Sequence, residues 1–200
     1  MRPDVRCPRC NSHERHRAIW LFLNKHTDLF NSGKKKLLHV APEFCFARKF
    51  QKLKSIEYTS VDSGYGLAQV NQDVTRLMFS DEAFDCFIII HVLEHIQDEK
   101  GALGELHRVL KRGGWGIIQV PMDLSLEKTK EDSSADTPEK RLAVFGQVDH
   151  VRLYGKDFKI KLEHTGFKVE YIDMWNRLAK EEREIYRILE NEPFYFVEKN

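Results

Sequence analysis

The sequence predicts an α/β fold: a doubly wound, mostly parallel, Rossmann-like sheet covered by helices on both faces, with an N-terminal helical leader. Three observations predict it. Short apolar, β-rich runs alternate with segments whose apolar residues fall at helical spacing. The run 84–92 (FDCFIIIHV) is apolar on both faces, as a parallel strand covered by helices should be. The 200 residues suit one domain plus decoration, and 42% hydrophobic with 32% charged residues is not the composition of a disordered chain.

The elements follow in order. Ser12 is a plausible N-cap for a helix to about His26, with Ile19, Trp20, Phe22 and Leu23 as its apolar stripe; Asn31-Ser-Gly ends that region. After the basic run at residues 34–36, Leu37-Leu-His-Val-Ala reads as a strand, and Pro42 suits the first turn of a helix that buries Phe46 and Phe50. Residues 56–61 form a second strand, ending at Asp62-Ser-Gly, and 84–92 a third. Leu103, Leu106, Val109 and Leu110 make a helical stripe, for which Gly113-Gly114 offers a left-handed C-cap. Residues 115–120 are the next strand. The polar stretch 121–149 is read as a long mobile loop or lid on the substrate side. A helix near 156–165 ending at Gly166, a strand at 167–172, a charged helix at 178–190 and a strand at 194–197 complete the chain. The domain reading is a basic Cys/His leader and helix at 1–36 and the main domain at 37–200.

Charge and composition exclude several classes. The longest apolar runs fall far short of the ~20 residues a membrane helix needs. No secretory signal precedes Cys7, so a reducing, cytoplasmic setting is expected, and four unevenly spaced cysteines suggest no disulfide framework. The net charge of +1 conceals an asymmetry: residues 1–36 hold nine Lys/Arg against three Asp/Glu, a balance of +6, which leaves −5 for the rest.

In such a sheet, ligands bind outside the carboxyl ends of the strands at the topological switch point, here 39–43, 62, 73, 91–95 and 121 onward. Asp62, an acidic residue at the end of the second strand, fits the partner of ribose hydroxyls, although an Asp before Ser-Gly is also an ordinary turn residue. The first turn, His39-Val-Ala-Pro-Glu-Phe, lacks the glycines that let a backbone approach a pyrophosphate, which argues against NAD. A Gly-Lys-Ser/Thr phosphate loop is absent as well.

The segments LLHVAPE, YTSVDSG, NQDVTRLMFSDEAFDCFIIIHVLEHI and ELHRVLKRGGWGIIQVP, in that order, resemble the core of a class I S-adenosylmethionine-dependent methyltransferase of the type-11 kind. HVRLYGKDFKIKLEHTGFKVE resembles that family's later helix and strand, so the resemblance spans roughly residues 37–172. It implies methyl transfer from S-adenosylmethionine to an unidentified acceptor, small molecule or macromolecule. Under this resemblance His39, Ala41 and Glu43 would lie by the methionine part of the cofactor, Asp62 would accept from the ribose, and Asp73 from the adenine amino group with the Val74 backbone beside the ring. His91 would line the cofactor near the methyl. Glu94 and His95 read as a structural polar pair. The departure lies in the first motif: His39 stands where an acid is usual, and Ala41 and Glu43 where glycines are usual. Glu43 can replace the lost acid by accepting the cofactor's α-ammonium, or it can be a helix-start carboxylate.

Methyl transfer needs alignment and, for some acceptors, proton removal, so His91 and His150 are the candidate bases. Arg152 and Tyr154 are candidates for orienting an anionic or polar substrate. In the leader, Cys7 and Cys10 form half a zinc site, with His13 and His16 offering nitrogens, but four ligands within ten residues would strain a tetrahedron. Zinc is therefore possible without being the favoured reading. Cys45 and Cys86 suit small apolar roles. Arg6, Arg9, Arg15, Arg17 and residues 34–36 raise a nucleic-acid-binding module as an alternative, without a recognisable module to support it. A non-catalytic binding protein on the same fold is the other alternative.

Overall fold

The computed structural model describes residues 5–64, 66–190 and 192–200. The first four leader residues therefore lie outside the described residues. The chain runs α1 (Glu14–His26), β1 (Lys35–Val40), α2 (Phe44–Phe50), β2 (Ile56–Asp62), β3 (Val70–Asn71) and β4 (Phe84–Ile90). A single 3₁₀ turn, Leu93–His95, follows, then α3 (Glu99–Val109) and β5 (Leu110–Gln119). Next come β6 (Lys130–Glu131), α4 (Pro138–Phe145), β7 (Arg152–Leu153), α5 (Phe158–His164), β8 (Phe167–Ile172), α6 (Met174–Arg177), α7 (Lys180–Tyr186) and β9 (Phe194–Lys199).

Seven strands form one sheet in the order β3-β2-β1-β4-β5-β9-β8. Pairing is parallel from β3 to β5; β9 runs antiparallel to both β5 and β8, so it alone is reversed. The chain winds outward from β1 in one direction and from β4 in the other, which puts the switch point between them.

Alternation along the central strands divides the core in two. Leu38, Val40, Phe87, Ile89 and Ile118 face Leu103 and Leu106 of α3 and Phe158 and Leu162 of α5. Leu37, Ile88, Ile90 and Ile117 face Ile19, Phe22 and Leu23 of α1 and Phe46 and Phe50 of α2. Successive side chains point to opposite faces, so both faces are apolar because both are covered. The leader helix is one of those covers: Ile19 and Leu23 are fully buried.

Several local expectations change. Pro42 precedes the N-cap Glu43 and is not inside the helix. Helix α3 ends at Leu110, whose backbone is already extended, so Gly113-Gly114 is no C-cap. Gly113, with φ +71, lies instead inside β5, beside the register shift that pairs Phe84 and Cys86 out of step. The charged helix expected at 178–190 is shorter, α7 at Lys180–Tyr186; Leu178, extended and buried, separates it from the short α6 that precedes it. The stretch 121–149 is irregular for most of its length but carries two regular elements, β6 and α4. Thr137 caps α4 through its hydroxyl, Pro138 opens the helix, and Gly146 closes it in a left-handed conformation. β6 then pairs with β7 to tie the excursion down.

Candidate active site

Register brings the strand ends together. Val40 pairs with Val61 on one side and Ile89 on the other, and Ile90 pairs with Gln119. Ala41, Asp62 and His91 therefore leave the sheet side by side at the switch point. The Ala41 amide still donates to Val61 and that of His91 to Gln119.

Two of these exits are left-handed: Ala41 has φ +46 and His91 φ +53. Such a conformation costs a non-glycine residue ~1–2 kcal/mol, and strained residues of this kind concentrate at functional sites. The turn at Ala41 thus keeps the backbone shape of a glycine without the residue.

Beside it, His39 is fully buried; its Nε2 lies 2.8 Å from Glu43 Oε2 and its Nδ1 3.0 Å from the Tyr58 hydroxyl. With the proton on Nε2, His39 donates to Glu43 and Tyr58 donates to Nδ1. Burial opposes ionisation of Glu43, but the His39 hydrogen bond and the charges of His39 and His16 hold its carboxyl below the usual range. The other Glu43 oxygen, Oε1, faces His16 Nε2 at 3.9 Å. His39 and Glu43, the two departures in the first motif, are thus in direct hydrogen-bond contact with each other.

Asp62 accepts from the Gly64 amide through Oδ1 at 3.2 Å. At Gly66 a Cβ would stand 2.5 Å from Asp62 Oδ2, so a glycine lets this loop lie against the carboxylate. Asp73 is exposed and caps its own turn, accepting from the Thr75 amide and hydroxyl at 2.8 Å each, while Val74 is buried beside it.

The next exit gathers more than the sequence suggested. His91 Nδ1 lies 3.3 Å from Glu94 Oε1, and His95 Nε2 lies 4.0 Å from the same oxygen. The rings of His95 and His150 meet edge to face with centroids 4.9 Å apart. Burial lowers the His150 pKa against the attraction of Glu94. His91 and His150, both expected here, do converge. Glu94 and His95 do not behave as a hydrogen-bonded structural pair, because neither Glu94 oxygen makes a hydrogen bond. The overlooked signal was the spacing His91-x-x-Glu94-His95 followed, past the loop, by Asp149-His150.

Arg152 and Tyr154 are corrected. Arg152 is 4% exposed and its guanidinium donates to the Leu93, Ile96 and Gln97 carbonyls and, at 2.9 Å, to Glu131. It clamps the 3₁₀ turn, with Nε, Nη1 and Nη2 all engaged within the fold. Tyr154 is fully buried against Phe158 in the core.

The leader cations are largely engaged as well. Arg17 donates to the carbonyls of Tyr186, Arg187, Val5 and Ser12, Lys25 pairs with Glu182, and Lys34 and Lys36 pair with Glu57. Cys7, Cys10, His16 and Cys45 border one small cavity, with Cys45 Sγ 3.4 Å from His16 Nδ1. They do not converge within ligand range, however. Among the described residues Glu94, His95 and His150 form the one group of three that does.

Residues 40–118 match the family model described as a methyltransferase domain. A sterol 24-C-methyltransferase from Yarrowia lipolytica is 28% identical over 129 residues, 61% of this chain and 32% of that protein. A demethylmenaquinone methyltransferase from Streptomyces avermitilis is 46% identical over 46 residues, 23% of this chain and 20% of that protein. The chain thus spans a third or less of these curated relatives. A SAM-dependent methyltransferase from Archaeoglobus fulgidus shares the fold with a TM-score of 0.58 at 18% identity, covering 94% of each chain. Among the described residues no helix is long and apolar enough to cross a membrane.

Proposed function

We propose that this chain, whose residues 40–118 match a methyltransferase-domain family model, transfers a methyl group from S-adenosylmethionine to an acceptor held over the strand exits. The observation that carries the reading is the alignment of Ala41, Asp62 and His91 at the switch point, two of them left-handed.

The donor set suits the cofactor. Asp62, whose Oδ2 is unused by the Gly64 amide, accepts from the ribose hydroxyls. Asp73 accepts from the adenine amino group, with the Val74 backbone beside the ring. The turn at Ala41 borders the methionine part. Glu43, held by His39, accepts the α-ammonium through the oxygen that His39 leaves free. When bound, S-adenosylmethionine supplies a methyl group on a positively charged sulfur. His91, 29% exposed at the exit of β4, removes the acceptor's proton where one must leave. His150 closes the same pocket from the far side of the 121–149 excursion. Four free cysteines fit a reducing, cytoplasmic setting.

The test is release of S-adenosylhomocysteine, measured by mass spectrometry across a broad acceptor panel. At least one acceptor is expected to drive release, with His91→Ala slowing it about 10²–10⁴-fold while cofactor still binds. Cofactor binding with no acceptor turned over would overturn the catalytic reading and leave a binding protein.

A further inference from the structure

Glu94 is the most deeply buried carboxylate of the pocket, with no exposed surface, and neither of its oxygens makes a hydrogen bond. A buried carboxylate left this way is costly unless a cation or a proton compensates it. Its surroundings answer that need. Glu94, His95 and His150 each offer a ligand atom, all within 4.8 Å of one another. Metal–ligand bonds of about 2.0–2.2 Å put this group within reach of a single ion after small side-chain adjustments.

The orientation of each imidazole supports the same reading. His95 Nδ1 is turned to Asp149, 3.3 Å from its carbonyl and 3.4 Å from its carboxylate, which leaves Nε2 on the Glu94 side. A ligating histidine characteristically presents one nitrogen while a carboxylate or carbonyl holds the other. His150 Nδ1 is buried and without a hydrogen-bond partner. The two segments are also fixed together in advance. The Val151 amide donates to the Glu94 carbonyl at 2.9 Å, and Arg152 gathers the carbonyls of Leu93, Ile96 and Gln97.

We propose that Glu94, His95 and His150 bind one divalent first-row transition metal ion, with Asp149 as a positioning residue for His95. Two imidazoles and a carboxylate suit the manganese-to-zinc series better than magnesium or calcium, which prefer all-oxygen sites. Three protein ligands leave coordination positions open. The assignment gives His150 to the ion and leaves proton transfer to His91. On the methyl-transfer reading, which only this consequence rests on, the open position takes an oxygen atom of the acceptor.

The test uses the full chain, stripped with a chelator and titrated separately with Mn²⁺, Co²⁺ and Zn²⁺, with stoichiometry from elemental analysis and affinity from calorimetry. One Co²⁺ per chain is expected, with visible d–d absorption and no thiolate charge-transfer band. Binding should weaken more than about 100-fold in His150→Gln and in the more exposed His95→Gln, and about 10–100-fold in Asp149→Asn. The Cys7→Ser/Cys10→Ser double variant should retain it. Circular dichroism melts of each variant separate loss of ligand from loss of fold. No bound ion, or an ion lost only in the cysteine variant, overturns the proposal. S-adenosylmethionine binding is measured in parallel. Cofactor without an ion overturns the metal site alone, whereas an ion without cofactor overturns the transferase reading alone.

Discussion

Ala41 shows most plainly how single residues shape this site. It holds φ +46 where glycine would be unstrained, so Ala41→Gly should raise stability by up to about 1 kcal/mol, the released strain being partly offset by unfolded-state entropy. A rise in the urea midpoint with an unchanged slope checks it. His16 carries a second prediction. It is 5% exposed, and burial lowers its pKa to about 4 in the folded protein from an ordinary value near 6.5. Between these values the unfolded chain binds the extra proton. This contribution to stability is therefore intact above about pH 6.5 and declines as pH falls towards 4, by about 3 kcal/mol in all. Urea unfolding of wild type and His16→Leu across that range should show the wild-type slope reduced in the variant; equal slopes contradict the assignment. At this scale the sequence disclosed the residue types of the site but not their partners. His39 stood at an acid's place, and only its contacts with Glu43 and Tyr58 make sense of it.

At the scale of elements, the turn at 93–95 and the strand β7 form one bonded unit. Arg152 joins them, and its near-complete burial makes it structural. Arg152→Met should cost on the order of 3 kcal/mol, because three backbone carbonyls lose their donor. Hydrogen exchange should show the Val151 amide, which donates to Glu94, losing protection ahead of the central strands. A sequence reader sees Arg and Tyr after a long polar stretch and expects substrate contacts, because burial is invisible when both partners are backbone carbonyls. Helix α4 was more legible than it looked. Thr137-Pro138 and Gly146 are ordinary start and stop signals, obscured by the polar composition between β5 and α5.

The whole molecule was the most legible scale, because one physical rule fixes it: strands apolar on both faces must be covered twice. That rule anticipated the doubly wound sheet and, through it, the place where ligands bind. The leader helix, through its apolar stripe of Ile19, Phe22 and Leu23, is one of the covers. Phe22 is 2% exposed and packs against Phe194 and Phe196, so Phe22→Ala should cost about 3–5 kcal/mol, read from thermal or urea unfolding. The charge asymmetry resolves in the same way. The +6 leader faces a −5 remainder, and Lys25–Glu182 and the Arg17 contacts with Tyr186 and Arg187 join the two. A salt-sensitive gel shift with nucleic acid is accordingly not expected at micromolar protein; a shift that disappears on neutralising Arg6 and Arg9 would contradict this.

The central claim is that the strand exits around Ala41, Asp62 and His91 form a cofactor site despite the missing glycines. Isothermal titration of the wild-type chain and of Asp62→Ala with S-adenosylmethionine tests it most directly. One molecule per chain is expected, with binding weakened at least about tenfold in Asp62→Ala, the order of one charge-assisted hydrogen bond. Absence of binding in the wild type, or equal affinity in the two proteins, would contradict the account.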